Sequence, residues 1–313
     1  MTPVYKLSAN SVKNGRTVYG SMLAGNTTYY VPNVWNTKAS CTYDHYRGAA
    51  AAVGGKYYIL GGGPAPTSPT KNEAYDPVAN TWSTKTDLPA AQEAHSGAAV
   101  GNVIYSIGNY IAGTTNYAYD TVANSYTTKA AMTTGRSYLV VVAVGTVVYA
   151  IAGYTGSVLN PSPTQAYDTV ANTWSNKADK TTPVASLTGA ASGSIIYCIG
   201  GDNTSSQRTT LNEAYNTVTN TWSTKAALPV ERSTANAGTI DGNIYIIGGT
   251  GNASPYYVTT NYAYNIVGDS YSTKAAIPDF KADAQVGVIG NKIYISAGTG
   301  SATNNKITYE YVA

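Results

Sequence analysis

Six residues of this chain combine the side-chain types that hold a sugar: Tyr110, Tyr154, Asp202, Arg208, Tyr256 and Tyr257. A tyrosine ring stacks on the apolar C–H face of a pyranose. Its hydroxyl, a carboxylate and a guanidinium exchange hydrogen bonds with sugar hydroxyls. Amides stand close by in sequence at Asn203, Gln207 and Asn252. Bond-breaking chemistry is poorly supplied. His45 and His95 are the only histidines, too few for a histidine-based metal centre. No pair of carboxylates recurs at a spacing that suggests glycoside hydrolysis. The expectation is a ligand site without catalysis, metal or cofactor.

Composition narrows the partners. A net charge of +3 is too small to argue for nucleic acid or an anionic membrane. Charged residues are 11% of the chain, well below the roughly 25% usual in soluble proteins. Hydroxyls and amides must therefore cover the surface. Tyrosines number 29 against one phenylalanine, which suits walls packed on one side and wet on the other. No stretch approaches 18 apolar residues, and the N-terminus lacks a charged region followed by an apolar one. A soluble chain without a secretion signal is expected. Cys41 and Cys198 cannot build a disulfide framework, and Cys198, inside the apolar run 195–199, reads as a small core residue.

The elements that position the six residues are repeated. An aromatic residue precedes a tyrosine by 23 positions six times: Trp35–Tyr58, Trp82–Tyr105, Tyr126–Tyr149, Trp174–Tyr197, Trp222–Tyr245 and Tyr271–Tyr294. One supersecondary unit copied six times must bury its faces against its own copies. Each copy has an apolar run ending in glycine, then Ala-Tyr-Asp or Ala-Tyr-Asn, then an aromatic seven residues later, as in Tyr75–Trp82. Short runs rich in Ile, Val, Thr and Tyr, bounded by Gly, Asn or Pro, read as strands. We call them b, c and d. A strand a precedes b across a tight turn such as Gly54-Gly55 or Asp241-Gly242, where positive φ is tolerated. Each unit is thus a four-stranded antiparallel meander.

These marks resemble kelch repeats, which build β-propellers. The glycines closing strand b (Gly248-Gly249), the Tyr75-Asp76 of strand c and the Asn80-Thr81-Trp82 opening strand d carry the likeness. It implies an all-β, six-bladed propeller over residues 33–313, with residues 1–32 outside it. The segment Asn33–Lys38 reads as an orphan strand d, and the sixth unit lacks one. Pairing the orphan beside Lys306–Val312 closes the ring and removes an open edge. Kelch-like copper radical oxidases need histidine ligands and a Tyr–Cys crosslink, and no such set is present. In kelch propellers an arginine often stands thirteen residues before the strand-b tyrosine, near the axial opening. Here that position holds His45, Gln92, Arg136, Val184, Arg232 and Lys281, which suggests a mildly positive mouth or a set of structural hydrogen bonds.

Only the b–c connection varies in length among the copies. In a meander the b–c and d–a connections emerge on one face and the tight a–b and c–d turns on the other, so the b–c face is the expected binding face. All six candidate residues lie in b–c loops, with Tyr257 in the longest. Lys38, Lys85, Lys129, Lys177, Lys225 and Lys274 follow the strand-d aromatic by three positions. An outer-edge lysine blocks strand addition by another chain, although a cationic rim for an anionic polysaccharide would use the same residues. The strand-d aromatics are expected to be buried between blades.

Residues 1–32, with Gly20-Ser21-Met22-Leu23-Ala24-Gly25-Asn26, resemble the N-terminal leaders of tailed-phage virion proteins. That resemblance implies a virion location, assembly in the host cytoplasm, multiple copies in the particle, and docking onto other virion proteins through residues 1–32. The expected role is a non-enzymatic tail-fibre or capsid-surface protein that contacts a host-surface glycan or protein through the b–c face. The alternatives are an intracellular kelch interaction module and a kelch-type carbohydrate-active enzyme.

Overall fold

The structure is a computed structural model that describes residues 33–63, 70–110, 113–156, 159, 163–300 and 305–313, with the backbone alone at 12–13 and 16–17. Six four-stranded antiparallel sheets make up the described propeller, each in the order a-b-c-d. Blade one is Ala49–Val53, Lys56–Leu60, Asn72–Asp76 and Thr81–Thr84. Blade two is Ser96–Val100, Val103–Ile107, Asn116–Asp120 and Ser125–Thr128. Blade three is Val140–Val144, Val147–Ile151, Pro163–Asp168 and Thr173–Asp179. Blade four is Thr188–Ser192, Ile195–Ile199, Asn212–Asn216 and Thr221–Thr224. Blade five is Asn236–Ile240, Asn243–Ile247, Asn261–Asn265 and Ser270–Lys274. Blade six is Gln285–Ile289, Lys292–Ser296 and Thr308–Val312, completed by Val34–Lys38 in the register Tyr311↔Trp35 and Thr308↔Lys38. The expected closure is the observed one. The docking assignment to residues 1–32 falls outside the described residues, apart from the short antiparallel pairing Val12↔Thr17 and Lys13↔Arg16.

The core is a stack of aromatic contacts that steps from blade to blade. Each strand-c tyrosine (Tyr75, Tyr119, Tyr167, Tyr215, Tyr264, Tyr311) is fully buried. It packs on its own strand-d aromatic and on the strand-b tyrosine of the preceding blade. Tyr167, for example, lies 5.1 Å from Trp174 and 5.6 Å from Tyr105. Tilted and edge-on geometries of this kind each add about 0.5–1.5 kcal/mol beyond the area they bury. The strand-d aromatics differ from expectation: all six are half-buried rather than buried. They lie on the outermost strand, which has a neighbouring blade on one side and water on the other.

A second contact repeats with them. The residue leaving strand d of one blade has its N–H held by the next blade, and its carbonyl too wherever that blade's strand d carries a tryptophan. Ala130 N–H donates to Asn172 Oδ1 at 2.9 Å, and Trp174 Nε1–H donates to the Ala130 carbonyl at 2.8 Å. The asparagine oxygen also accepts from the buried tyrosine, Tyr167 Oη–H, at 2.7 Å. Asn80, Asn124, Asn220 and Asp269 accept the same pair of bonds in their blades. Blade six has no c–d turn, and Asn33 takes the role, accepting from Tyr311 Oη–H at 3.0 Å and Ala275 N–H at 2.7 Å. All six of these residues have positive φ, between 44° and 64°. Asparagine and aspartate tolerate that region better than other side chains. The ring is therefore fastened by one device used six times, the last copy supplied by the first residue of the repeat region.

The glycine closing strand b has a packing reason. A Cβ on Gly62 would come within 2.6 Å of the Gly48 backbone and the Tyr46 carbonyl, and one on Gly249 within 2.5 Å of the Ser233 carbonyl. The d–a segment crosses directly over this glycine on its way to the axis. That crossing places the residues described next.

Candidate functional site

Eleven residues before each strand-b tyrosine stands a residue with φ between 51° and 57°: Arg47, Ala94, Tyr138, Ser186, Thr234 and Asp283. They form a ring around the axis where the d–a segments turn into strand a. Their backbones join head to tail. Arg47 N–H donates to the Asp283 carbonyl at 2.9 Å, Tyr138 to Ala94 at 2.8 Å, Ser186 to Tyr138 at 3.0 Å, Thr234 to Ser186 at 2.7 Å and Asp283 to Thr234 at 3.0 Å. At blade two, His95 N–H reaches the Arg47 carbonyl at 3.3 Å instead. The girdle rims an axial cavity of about 190 Å³, walled by strand-a residues such as Ala50, Gly97, Thr188 and Gln285. A left-handed backbone costs an L-residue roughly 1–2 kcal/mol. None of the six ring residues is glycine or asparagine, the two that would relieve that cost most.

The ring side chains form a charged and aromatic cluster. Arg47 Nε lies 3.3 Å from Asp283 Oδ2, and its Nη1 lies 3.5 Å from Glu93 Oε1. Its guanidinium also sits 5.1 Å above the Tyr46 ring and 5.2 Å above the Tyr138 ring. Burial pushes the Asp283 carboxyl above the usual range, and Arg47 pulls it back. Tyr138 meets Tyr154 edge to face at 5.9 Å.

The b–c loops reach the mouth through their first residue. In each of four blades this residue forms a β-bridge with the residue preceding the ring position: Tyr154 with Ser137, Asp202 with Ala185, Thr250 with Ser233 and Thr299 with Ala282. Tyr154 and Asp202 are therefore mouth residues, and burial together with Asp202 raises the Tyr154 phenol. Arg208 returns to the mouth by bridging Asp202, and its backbone is gripped on both sides by the Asn252 side chain. Arg208 Nε stands 3.7 Å from Asp202 Oδ1, too far for a hydrogen bond. Both atoms are buried and neither has a hydrogen-bond partner among the described residues. Burial raises the Asp202 carboxyl, against the hydroxyls of Ser233 and Ser186 and the charge of Arg208. A lone donor and a lone acceptor side by side are what a single hydroxyl satisfies, accepting from one and donating to the other.

Thus Tyr154, Asp202 and Arg208 are brought together. Tyr110 is 55% exposed and close enough to raise the Tyr138 phenol through its charge. Tyr256 is 57% exposed, while Tyr257 is stacked flat on Phe280 at 4.8 Å and so has one ring face already covered. Parts of the b–c loops, at 64–69, 111–112, 157–158, 160–162 and 301–304, lie outside the described residues.

Of the two readings of position minus thirteen, the structural hydrogen bonds are observed and the positive mouth is not. His45, Gln92, Arg136, Val184, Arg232 and Lys281 are all buried and do not line the mouth. They sit under the d–a crossing. His45 Nδ1, Gln92 Nε2, Arg136 Nη1 and Arg232 Nη1 contact the carbonyls of Gly61, Gly108, Ala152 and Gly248 at 2.7–3.3 Å. Burial draws the Arg136 guanidinium down to about 10 and the Lys281 amine down to about 8. The mouth instead carries three carboxylates, Glu93, Asp202 and Asp283, against Arg47 and Arg208. The residues that ring the mouth stand two positions further along the chain. Six different side chains at minus eleven, each flanked by constant strands, were the available signal.

Among the described residues one histidine–carboxylate pair is found, and it is buried. His45 Nε2 lies 3.3 Å from Glu73 Oε2 with both side chains buried. Burial alone would raise the Glu73 carboxyl, but His45 and Thr42 hold it below its ordinary value. Among the described residues no group of three or more His, Cys, Asp or Glu is placed to hold a metal ion.

A family model described as the KLHDC2/KLHL20/DRC7 Kelch-repeats domain matches residues 48–249. No curated protein matches the chain. The solved structure titled "Structure of YjhT" superposes with a TM-score of 0.73 at 14% identity, covering 86% of this chain and 94% of that one. At that identity the likeness is one of fold.

Proposed function

This chain belongs to the kelch-repeat β-propeller family, and on that premise we propose that it is a non-enzymatic virion protein of a tailed phage whose axial mouth contacts a host-surface glycan. The kelch propeller supports a binding module. The observation that carries the glycan reading is the pairing of unsatisfied Asp202 Oδ1 and Arg208 Nε beside the aromatic wall of Tyr138 and Tyr154. A pyranose offers what both need: an apolar face for the rings and a hydroxyl for the gap. The paired charges leave little net field, so binding should depend only weakly on salt.

The virion part of the proposal rests on the resemblance of residues 1–32 and agrees with the placement of the ring ends. The chain enters at Asn33, whose N–H donates to the Val312 carbonyl, and Ala313 N–H donates to Asn291 in an a–b turn. Both ends are thus on the tight-turn side, and a docked arm would leave the mouth facing outward. A chain starting at residue 33 should remain folded but be absent from particles by mass spectrometry; normal incorporation would sink the virion reading.

The glycan reading is tested by cell adsorption and a glycan array with Asp202→Asn/Arg208→Gln and with Tyr154→Ala. Each should weaken binding at least about tenfold, the scale of one charge-assisted hydrogen bond or one stacked ring. Tyr256→Ala/Tyr257→Ala should weaken it less, since Phe280 already occupies one face of Tyr257. Normal adsorption by all three, with loss on altering the Asp76–Asn80 turn, would place the binding face on the opposite side.

A further inference from the structure

Blade six contains a buried carboxylate where blade four contains a space. Glu310 pairs across the sheet with Tyr294 and Asn36, whereas Ala214 pairs with Tyr197 and Ser223. The two are the same position of the repeat. Glu310 Oε2 accepts from Tyr294 Oη–H at 2.6 Å and from Lys292 Nζ at 3.1 Å, and Oε1 accepts from Asn36 Nδ2 at 3.1 Å, with Lys38 Nζ at 3.2 Å. Burial alone would raise this carboxyl, but its donors hold it below the usual value.

At blade four Ala214 leaves a cavity of about 210 Å³ whose lining includes Tyr197, Asn216, Ser223 and Lys225. Tyr197 replaces Tyr294, Ser223 replaces Asn36 and Lys225 replaces Lys38. Tyr58, Tyr105 and Tyr149 spend their hydroxyls on Thr121, Thr169 and Thr217 of the following blade. At blade five that threonine position is held by Ile266, so Tyr197 has no such partner. Lys225 has no carboxylate within ion-pair distance among the described residues. Asp269, whose charge it feels, is already engaged by Tyr264 Oη–H and Ala226 N–H.

We propose that this groove, walled by strands b, c and d of blade four, binds a carboxylate on a slim stem, seated where Glu310 seats its own in blade six. Lys225 supplies the charge, and Tyr197 and Ser223 supply the hydroxyl donors. The site shares no lining residue with the axial cavity and does not depend on the reading given to that mouth.

Propionate, the Glu310 side chain without its backbone, is the probe, and glucuronate tests whether a sugar acid fits as well. In thermal-shift titrations at neutral pH, propionate should raise the melting temperature saturably, while chloride at equal concentration should not. Lys225→Gln should weaken the response about tenfold, in line with loss of one charge-assisted bond. Ala214→Glu should melt higher than wild type and no longer respond. Should Ala214→Glu not fold, Lys225→Gln still decides, because its side chain is on the open side of the groove. Asp202→Asn should respond as wild type does. A response to glucuronate equal to that to propionate supports the site and extends it to sugar acids. No saturable response in wild type, or an undiminished response in Lys225→Gln, overturns the proposal.

Discussion

Two rings of left-handed residues encircle this propeller, and they use the same backbone strain in opposite ways. On the tight-turn side the ring is Asn33, Asn80, Asn124, Asn172, Asn220 and Asp269. Five are asparagine, the sixth is its near isostere, and every one accepts the same two hydrogen bonds. On the mouth side the ring is Arg47, Ala94, Tyr138, Ser186, Thr234 and Asp283, with no residue type used twice. One ring is a fastening repeated without change. The other keeps its main chain constant and varies everything that projects from it. At five of the six, Asp283 being the exception, the chain keeps a strain that asparagine, aspartate or glycine would relieve.

The largest way to break this comparison is to open the closure. Removing residues 307–313 takes away the partner of Val34–Lys38 and the Tyr311 bond to Asn33, so the cooperative melt seen by circular dichroism should be lost at 37 °C. An unchanged melt would mean that five fastenings suffice. Next comes Trp174→Ala, which removes a half-buried ring and the bond to the Ala130 carbonyl. About 3 kcal/mol is expected by denaturant titration, the low end for a large aromatic because one edge already meets water; less than about 1 kcal/mol would mean the blade contact is not made there. A paired test sets the two rings against each other. Asn172→Ala should cost about 2 kcal/mol, since Tyr167 Oη–H and Ala130 N–H lose their acceptor. Ala94→Gly should cost nothing or stabilise by up to about 1 kcal/mol, since glycine accepts positive φ. Equal losses would erase the distinction.

The smallest effect concerns pH. Asp202 has its carboxyl raised by burial, so the native state favours the protonated form. Its contribution to stability is therefore full below the ordinary carboxylate range and is lost as pH rises through the raised value. Asp202→Asn should melt higher than wild type at neutral pH, and the gap should close as pH falls into the ordinary carboxylate range, about 4. A gap that widens on acidification would contradict the burial of this group.

The strands, the blade count and the closure were legible because each rests on constant spacing. Trp82 to Tyr105 and Trp174 to Tyr197 are the same distance apart since the main chain between them takes the same path over the glycine in each blade, with positive φ at Ala94 and at Ser186, whichever side chain stands there. The fastening was legible only in part: the Asn-x-Trp of each blade was visible, but its clamp on both groups of one alanine appears only once blades pack. Tyr154 and Asp202 were within reach because they directly follow the glycines of strand b. Arg47, Tyr138 and Asp283 were not, because their convergence depends on closing blade six against blade one. At minus thirteen the spacing left a positive mouth and structural hydrogen bonds equally open, for a physical reason. A two-residue step across the buried Gly62 crossing separates a side chain held under the crossing from one standing in the mouth.

The fastening at Asn33 also sets an order of events during synthesis. Val34–Lys38 leaves the ribosome before any other strand of the ring, yet its partner Thr308–Val312 emerges after all the rest. Blades one to five can form in turn as they appear, each docking on its predecessor. The early strand stays unpaired throughout, and joining it to its partner closes a loop of roughly 270 residues, an entropic term of about 5 kcal/mol. Until then Thr308–Val312 lacks its partner and the waiting strand Val34–Lys38 has both edges unpaired. Slow, all-at-once acquisition of protease resistance, late and only after Val312 is exposed, is the kinetic counterpart of a circle that is fastened by its first bead.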